Sequence, residues 1–134
     1  VYDESNFQEN YNSAISEAKS SFGDSRVFVE KFVEEPRHIE IQVFGDKFGN
    51  IIHLGERECS IQRRHQKVIE EAPSKFVDEN LRKKMAKQSI KLAKAVNYYS
   101  AGTVEFVVDK NKQFYFLEMN KSCNSHHLVK IYNL

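Results

Sequence analysis

Apolar and polar positions in the first half of the chain follow two periods, one helical and one typical of strands. Residues 8–21 carry apolar side chains at a helical spacing, and Gly23 follows where such a helix would end. Three predicted strands come next, at about 26–33, 37–45 and 50–58, separated by the turn signals "EEPR" and "GDKFGN". The pattern therefore predicts one helix and then an antiparallel meander of three strands.

The second half predicts a longer helix and a hairpin. Asp78 is a suitable N-cap for a helix that runs to about Tyr98. The side chains expected to face inward are Leu81, Met85, Ile90 and Leu92. The stretch "GTVEFVVDKNKQFYFLEMN" then contains two alternating strands joined by a turn. Strands grouped around helices indicate an α+β fold, with an antiparallel sheet and packed helices, rather than a doubly wound sheet.

Composition and charge narrow the function classes. A chain of 134 residues with 40% hydrophobic content fits one domain or a piece of one, and its start at Val1 without Met suggests a segment of something larger. The net charge of +1 gives no support to nucleic-acid or anionic-membrane binding. No apolar run approaches the roughly 18 residues that span a bilayer. Cys59 and Cys123 form no CxxC pair, which favours a reducing compartment without disulfides.

The last hairpin presents two acidic side chains on one face. If the turn is Asn111–Lys112, Glu105 lies directly opposite Glu118, with their Cβ atoms about 4.5–5.5 Å apart. Asn120 shares that face. Two facing carboxylates repel each other unless a cation lies between them, and oxygen ligands without His or Cys select Mg²⁺ or Mn²⁺. From the pattern alone, a solvated outer face and a metal site both remain open.

A basic run at 62–67 follows the third predicted strand. "QRRHQK" brings together two Arg side chains with His65 and Lys67, which suits an anion such as phosphate or carboxylate. A charged surface turn is the alternative. A zinc site made by Cys59 and His65 matches no usual ligand spacing, and the near-neutral chain does not favour nucleic acid.

Several of these stretches resemble one family closely. "EKFVEEPRHIEIQVFGDKFGN", "GERECSIQRRHQKVIEEAPS" and "SAGTVEF…FYFLEMN" resemble the ATP-grasp core of the biotin carboxylase part of biotin-dependent carboxylases. The resemblance covers residues 1–120 almost continuously. "SSFGD", "ERECSIQRR" and "YYSAGTVEF" are most similar to the alpha chains of propionyl-CoA carboxylases. The implied fold is a partial ATP-grasp domain over residues 1–134.

The resemblance implies roles for individual residues. "EKFV" resembles the hinge along the adenine base, and His38 resembles a histidine near the ribose and phosphates. Gln62, His65 and Lys67 match residues near the ATP phosphates and bicarbonate. The implied nucleotide-binding residues are Glu30, Lys31, Val33, His38, Gln62 and His65; the implied catalytic residues are Lys67, His65 and Gln62; the implied metal ligands are Glu105, Glu118 and Asn120.

The implied chemistry is ATP-dependent carboxylation of biotin with bicarbonate. The cofactors would be ATP, Mg²⁺ or Mn²⁺, and biotin on a carrier domain that is not in this chain. The implied partners are that carrier domain and a carboxyltransferase (beta) subunit, with neither nucleic acid nor a membrane among them. The resemblance also implies the mitochondrial matrix. The alternatives are the biotin carboxylase of a methylcrotonyl-CoA, acetyl-CoA or pyruvate enzyme, or a non-catalytic remnant that binds nucleotide.

The family pattern stops after "EMN". There the family continues with Thr-Arg and then Gln-Val-Glu-His, whereas Ser122 and His126 stand at the positions of the Arg and the Glu. Residues 121–134 are therefore interpreted as a divergent tail, and we hypothesise that a frameshift, unspliced sequence or a truncated gene produces it. Ser supplies no fixed positive fork, and a His base titrates differently from Glu. We expect the chain alone to turn over no ATP.

Overall fold

The computed structural model describes residues 3–64 and 66–121, and it divides the chain into two units between Phe32 and Val33. The first unit contains helix α1, Phe7–Phe22, which confirms the predicted helix. Gly23 ends α1 with a φ of 72°, and its N–H donates to the Lys19 carbonyl at 3.0 Å. Glycine is suited to this left-handed position because it has no Cβ.

The prediction of a strand at 26–33 is wrong. The structure assigns no strand to this segment, although it is rich in Val and Phe, which favour strands. Composition is not sufficient, because a strand also needs a neighbour whose N–H and C=O groups pair with its own. The pairing of the described strands does not include this segment.

The described part of the second unit is a five-stranded antiparallel sheet with one helix. Its strands have the order β3-β2-β1-β4-β5. The elements are β1, Arg37–Gly45; β2, Ile51–Arg63; β3, Gln66–Glu71; α2, Glu79–Ala95; β4, Ser100–Val108; and β5, Phe114–Lys121. The predicted helix, β1 and the final hairpin are confirmed, and so is the α+β class. Among the described residues, no helix is long and apolar enough to cross a membrane.

The second strand and its partner differ from prediction. β2 continues to Arg63 instead of ending near residue 58, and β3 was not predicted at all. The pairing of β2 with β3 shifts register on both sides of Ile61. Such irregularities interrupt the two-residue period, so the pattern loses its strand signal there. The basic run therefore spans the turn of a β2–β3 hairpin.

The hydrophobic core lies between α2 and one face of the sheet. Alternate residues of β1 and β4 point into it, together with Leu81 and Met85 of α2. Ile90 and Leu92, also predicted inward, are half-buried. The fully buried strand residues are Ile39, Ile41, Val43, Val104, Phe106 and Val108. The strand residues between them point to the opposite face, which α2 does not cover.

The β4–β5 hairpin confirms that Glu105 faces Glu118, although its turn is not the predicted one. Val108 pairs with Phe114, and the Asp109 side chain accepts hydrogen bonds from backbone N–H groups inside the five-residue connection, including that of Gln113 at 2.9 Å. Phe106 pairs with Phe116, while Glu105 pairs with Glu118, so Leu117 is an extra residue in a β-bulge. The longer turn shifts the register of β5 by one residue, and the bulge shifts it back. The two shifts cancel, so Glu105 still faces Glu118.

Candidate functional site

The uncovered face of the sheet carries a row of charged residues across four strands. Glu40 of β1 is paired with Arg57 of β2 on one side and with Glu105 of β4 on the other. Glu118 of β5 extends the row beyond Glu105. Because these residues are direct cross-strand partners, their side chains leave the sheet on the same face.

Lys67 joins two buried carboxylates in this row. The Glu40 side chain is 0% exposed and that of Glu105 is 5% exposed. The Lys67 Nζ donates to Glu40 Oε2 at 2.5 Å and to Glu105 Oε1 at 2.9 Å. Burial by itself lowers the pKa of Lys67, but the two carboxylates outweigh burial and raise it. The ammonium thus stays charged between two like charges that would otherwise repel.

Glu105 is held in its ionised form by three donors. His38 Nε2, Lys67 Nζ and Asn120 Nδ2 all contact its carboxylate, the last at 3.0 Å. Burial alone would raise the pKa of Glu105, yet the hydrogen bonds from these groups outweigh burial and lower it to about 2. A carboxylate that is charged at every physiological pH is a suitable ligand for a divalent cation.

The three residues predicted as metal ligands lie at neighbouring positions on β4 and β5. Glu105 is buried, while Glu118 and Asn120 are exposed. The Asn120 amide nitrogen donates to Glu105, which leaves its amide oxygen free of that bond. Carboxylate and amide oxygens fit Mg²⁺ or Mn²⁺. These oxygen ligands therefore fit the Mg²⁺ or Mn²⁺ that the family resemblance implies. That the three residues bind a metal stays a prediction.

Of the predicted catalytic and nucleotide residues, the structure brings Lys67, Gln62 and His38 together. Gln62 Nε2 donates to His38 Nδ1 at 2.7 Å. His65 lies outside the described residues. Glu30 and Lys31 are exposed residues of the first unit, and Val33 begins the second. The assignment of these three to the adenine base stays a prediction.

Three site residues were missed in the sequence. Glu40 is buried between Ile39 and Ile41, and Arg57 contacts both Glu40 and Glu70, the latter at 2.6 Å. A signal for Glu40 was present, because the alternation in "RHIEIQ" places it on the same face as His38. Nothing local connects Arg57 to Glu70, because the β2–β3 pairing that unites them was not predicted.

Cys59 belongs to the same region but is not reactive. It is a fully buried free thiol, and burial raises its pKa to about 12. Its sulfur lies within 4.8 Å of one oxygen each of Glu40 and Glu70. Those carboxylates are paired with Lys67 and Arg57. A thiol that stays protonated at neutral pH is a weak nucleophile.

Lowering the pH is expected to destabilise the second unit between about pH 4.5 and pH 2. The pKa of Glu105 is 4.5 ordinarily and about 2 in the fold, so its contribution is complete above the higher value and is lost as the pH falls through the lower one. This difference between the two pKa values corresponds to about 3 kcal/mol in the free energy of unfolding. Urea unfolding followed by circular dichroism across this pH range measures the loss.

Glu105→Gln should make this acid dependence shallower, whereas the exposed Glu118→Gln should leave it unchanged. Some slope will remain, because the pKa values of Glu56 and Glu58 are also lowered in the fold by their Arg and Ser partners in spite of burial. Equal pH dependence in wild type and Glu105→Gln would contradict the prediction.

Comparison with protein families and curated relatives identifies what the chain is similar to. Residues 1–130 match the family described as carbamoyl-phosphate synthase L chain, ATP-binding domain. The propionyl-CoA carboxylase alpha chain of Ruegeria pomeroyi is 62% identical over 122 residues, and the human mitochondrial one is 56% identical over 129 residues. Rat mitochondrial pyruvate carboxylase is 54% identical over 129 residues. These alignments cover 91–96% of this chain but only 11–18% of the relatives.

Solved structures agree with the sequence relatives. A Campylobacter jejuni biotin carboxylase, solved as a β,γ-ATP complex, superposes with a TM-score of 0.78 at 55% identity and covers 89% of this chain. The Hydrogenobacter thermophilus 2-oxoglutarate carboxylase domain, solved with MgADP and bicarbonate, gives 0.76 at 49% identity over 89% of this chain. The chain spans 26–27% of those structures. The predicted resemblance and ATP-grasp fold are thereby confirmed, and the family match reaches ten residues beyond residue 120.

Proposed function

Because this chain belongs to the carbamoyl-phosphate synthase L chain ATP-binding domain family and has the ATP-grasp fold of biotin carboxylases, we propose that it is part of the active centre of a biotin carboxylase. The parent enzyme would carboxylate biotin with ATP and bicarbonate. The observation that carries the proposal is the Lys67 ammonium, held between the buried carboxylates of Glu40 and Glu105. It provides a fixed cation beside a candidate metal ligand, as phosphoryl transfer requires.

The acidic side of the site would hold the metal. Glu105, Glu118 and Asn120 provide oxygen ligands on two adjacent strands. A bound Mg²⁺ or Mn²⁺ would neutralise charge on the phosphate oxygens of ATP. Asn120 and His38 orient the Glu105 carboxylate through their hydrogen bonds. The site thus combines metal ligands with a lysine at hydrogen-bond distance from one of them.

Lys67, with Gln62 and His65, would act on the substrates. A bicarbonate oxygen attacks the γ-phosphorus of ATP while ADP leaves, which gives carboxyphosphate. Carboxyphosphate releases CO₂ and phosphate beside biotin N1, and the released phosphate takes the N1 proton as the bond between N1 and the CO₂ carbon forms. Lys67 would neutralise negative charge on the transferring phosphoryl group and on bicarbonate. Its raised pKa keeps it a cation, so it serves here as an electrostatic group and not as a base.

We further propose that the parent is of the propionyl-CoA carboxylase type. Identity to the propionyl-CoA carboxylase alpha chain of Ruegeria pomeroyi, at 62%, exceeds the 54% to rat pyruvate carboxylase, which favours this type over the pyruvate enzyme. Its partners would be a carrier domain that bears biotin and a carboxyltransferase subunit. Glu30, Lys31 and Val33 would lie along the adenine base. A mitochondrial matrix location is supported by the mitochondrial relatives.

The test uses the full-length parent protein. We expect ADP release from ATP that depends on bicarbonate and free biotin, and, with the carboxyltransferase subunit added, carboxylation of propionyl-CoA in preference to pyruvate. The 134-residue chain alone should release no ADP. ATP binding without bicarbonate-dependent turnover in the full-length protein would contradict the enzymatic proposal and favour a nucleotide-binding remnant. Preference for pyruvate would overturn only the assignment of type.

A further inference from the structure

Three side chains on neighbouring strands are connected by hydrogen bonds. Gln62 of β2 contacts His38 of β1, and His38 contacts Glu105 of β4. The backbone carbonyl of Cys59 can only accept a hydrogen bond. The Gln62 side chain lies 2.9 Å from it, so the atom in contact is the amide nitrogen. The same nitrogen lies 2.7 Å from His38 Nδ1. An amide nitrogen can only donate, which means that His38 Nδ1 carries no proton.

The proton of the neutral His38 ring is therefore on Nε2, which contacts Glu105 Oε2. The other Glu105 oxygen accepts from Lys67 and Asn120, at 2.9 Å and 3.0 Å. A carboxylate has about four acceptor positions. Three are occupied by protein donors, and the remaining one is on the oxygen that His38 holds.

We propose that Gln62 is a positioning residue that fixes the tautomer of His38, and that His38 in turn orients Glu105 toward a metal ion. This inference rests on the proposed function, because it assigns the metal to Glu105. It gives His38 and Gln62 a role other than the nucleotide contacts that the family resemblance implies. With Nδ1 and Nε2 both engaged, His38 has no nitrogen free for a ligand in this arrangement. Histidine–carboxylate pairs of this kind commonly fix the orientation of metal-binding groups.

The tautomer is measured directly by ¹H–¹⁵N correlation spectra of the ¹⁵N-histidine-labelled chain, at a pH above which the His38 signals no longer change and the ring is neutral. His38→Gln identifies the signals by their disappearance. Wild type should show His38 protonated at Nε2. Gln62→Ala should leave Glu105 as the only group that selects Nε2, so the share of the Nε2-protonated tautomer should fall, and Gln62→Glu, whose carboxylate also accepts, should place a second proton on Nδ1. Gln42→Ala is the matched control, because Gln42 is a glutamine on the same face of β1 as His38. This substitution should leave the His38 signals unchanged.

The second measurement is Mn²⁺ affinity by electron paramagnetic resonance on the same chain without nucleotide. Gln62→Ala should weaken Mn²⁺ binding by about 10–100-fold, the usual effect of losing a group that orients a ligand, and Gln42→Ala should not. The inference is overturned if His38 is protonated at Nδ1 in wild type, if neither Gln62 variant changes the tautomer, or if the tautomer changes without loss of Mn²⁺ affinity. A wild-type chain that binds no Mn²⁺ contradicts the proposed metal site itself, which separates the two failures.

Discussion

Replacing Lys67 with Met is expected to lower the free energy of unfolding of the second unit by about 3–5 kcal/mol. The substitution leaves Glu40 and Glu105 buried and facing each other without the ammonium that both carboxylates contact. Removing one partner of a buried ion pair is costly because the other charge stays desolvated. Urea unfolding followed by circular dichroism at pH 7 measures the change.

Lys112→Met provides the matched control. Lys112 also pairs with a carboxylate, that of Asp78 at 2.6 Å, but its side chain is 43% exposed. An exposed pair of this kind contributes at most about 1 kcal/mol. In the full-length enzyme, Lys67→Met should abolish bicarbonate-dependent ADP release, while Lys112→Met should retain it. Equal loss of stability in the two variants would show that the two buried carboxylates do not need Lys67.

Replacing Phe106 with Ala is expected to cost about 3–5 kcal/mol of stability. Phe106 is fully buried on the core face of β4, and its ring makes edge contacts with Phe114 and Phe116 at centroid distances of 5.4 and 6.4 Å. The truncation removes apolar contact and leaves a cavity that a closely packed sheet and helix fill only partly. This is a large share of the 5–15 kcal/mol typical of a domain.

Phe48→Ala is the control for this experiment. Phe48 is 91% exposed in the connection between β1 and β2, so its removal should change stability by less than about 0.5 kcal/mol. Thermal and urea unfolding of both variants give the comparison. A Phe106→Ala chain as stable as Phe48→Ala would contradict the described core.

Local patterns predicted the regular parts of the fold. β1 alternates without interruption, and α2 has both an N-cap and a helical apolar stripe, so each could be recognised from neighbouring residues alone. The segment 26–33 is rich in Val and Phe, which favour strands, yet it has no place in the described sheet. β3 was missed for the opposite reason, because irregular pairing beside Ile61 hides the two-residue period. The local residue pattern is thus neither sufficient nor necessary for a strand, since pairing depends on a second segment.

The candidate site could be predicted only in part, because its contacts connect residues that are distant in sequence. Glu105 and Glu118 belong to one hairpin, and their pairing was predicted correctly because the longer turn and the bulge at Leu117 cancel in the register. The contact between His38 and Glu105 spans 67 positions, and that between Lys67 and Glu40 spans 27. No local period carries such information. Glu40, which is fully buried, shows the physical limit most clearly, since its burial is tolerable only with Lys67 and Arg57 beside it.

The bulge at Leu117 has a consequence for changes in chain length. Phe116 and Glu118 face adjacent residues of β4, so Leu117 occupies no place in the ladder. Deleting it would leave an uninterrupted strand in which Phe116 and Glu118 keep their partners. Deleting a paired residue of β5 would instead move every residue on one side of it to the wrong face. Among related sequences, a one-residue deletion should therefore be tolerated at position 117. Deletions should be absent at the paired positions on either side of it.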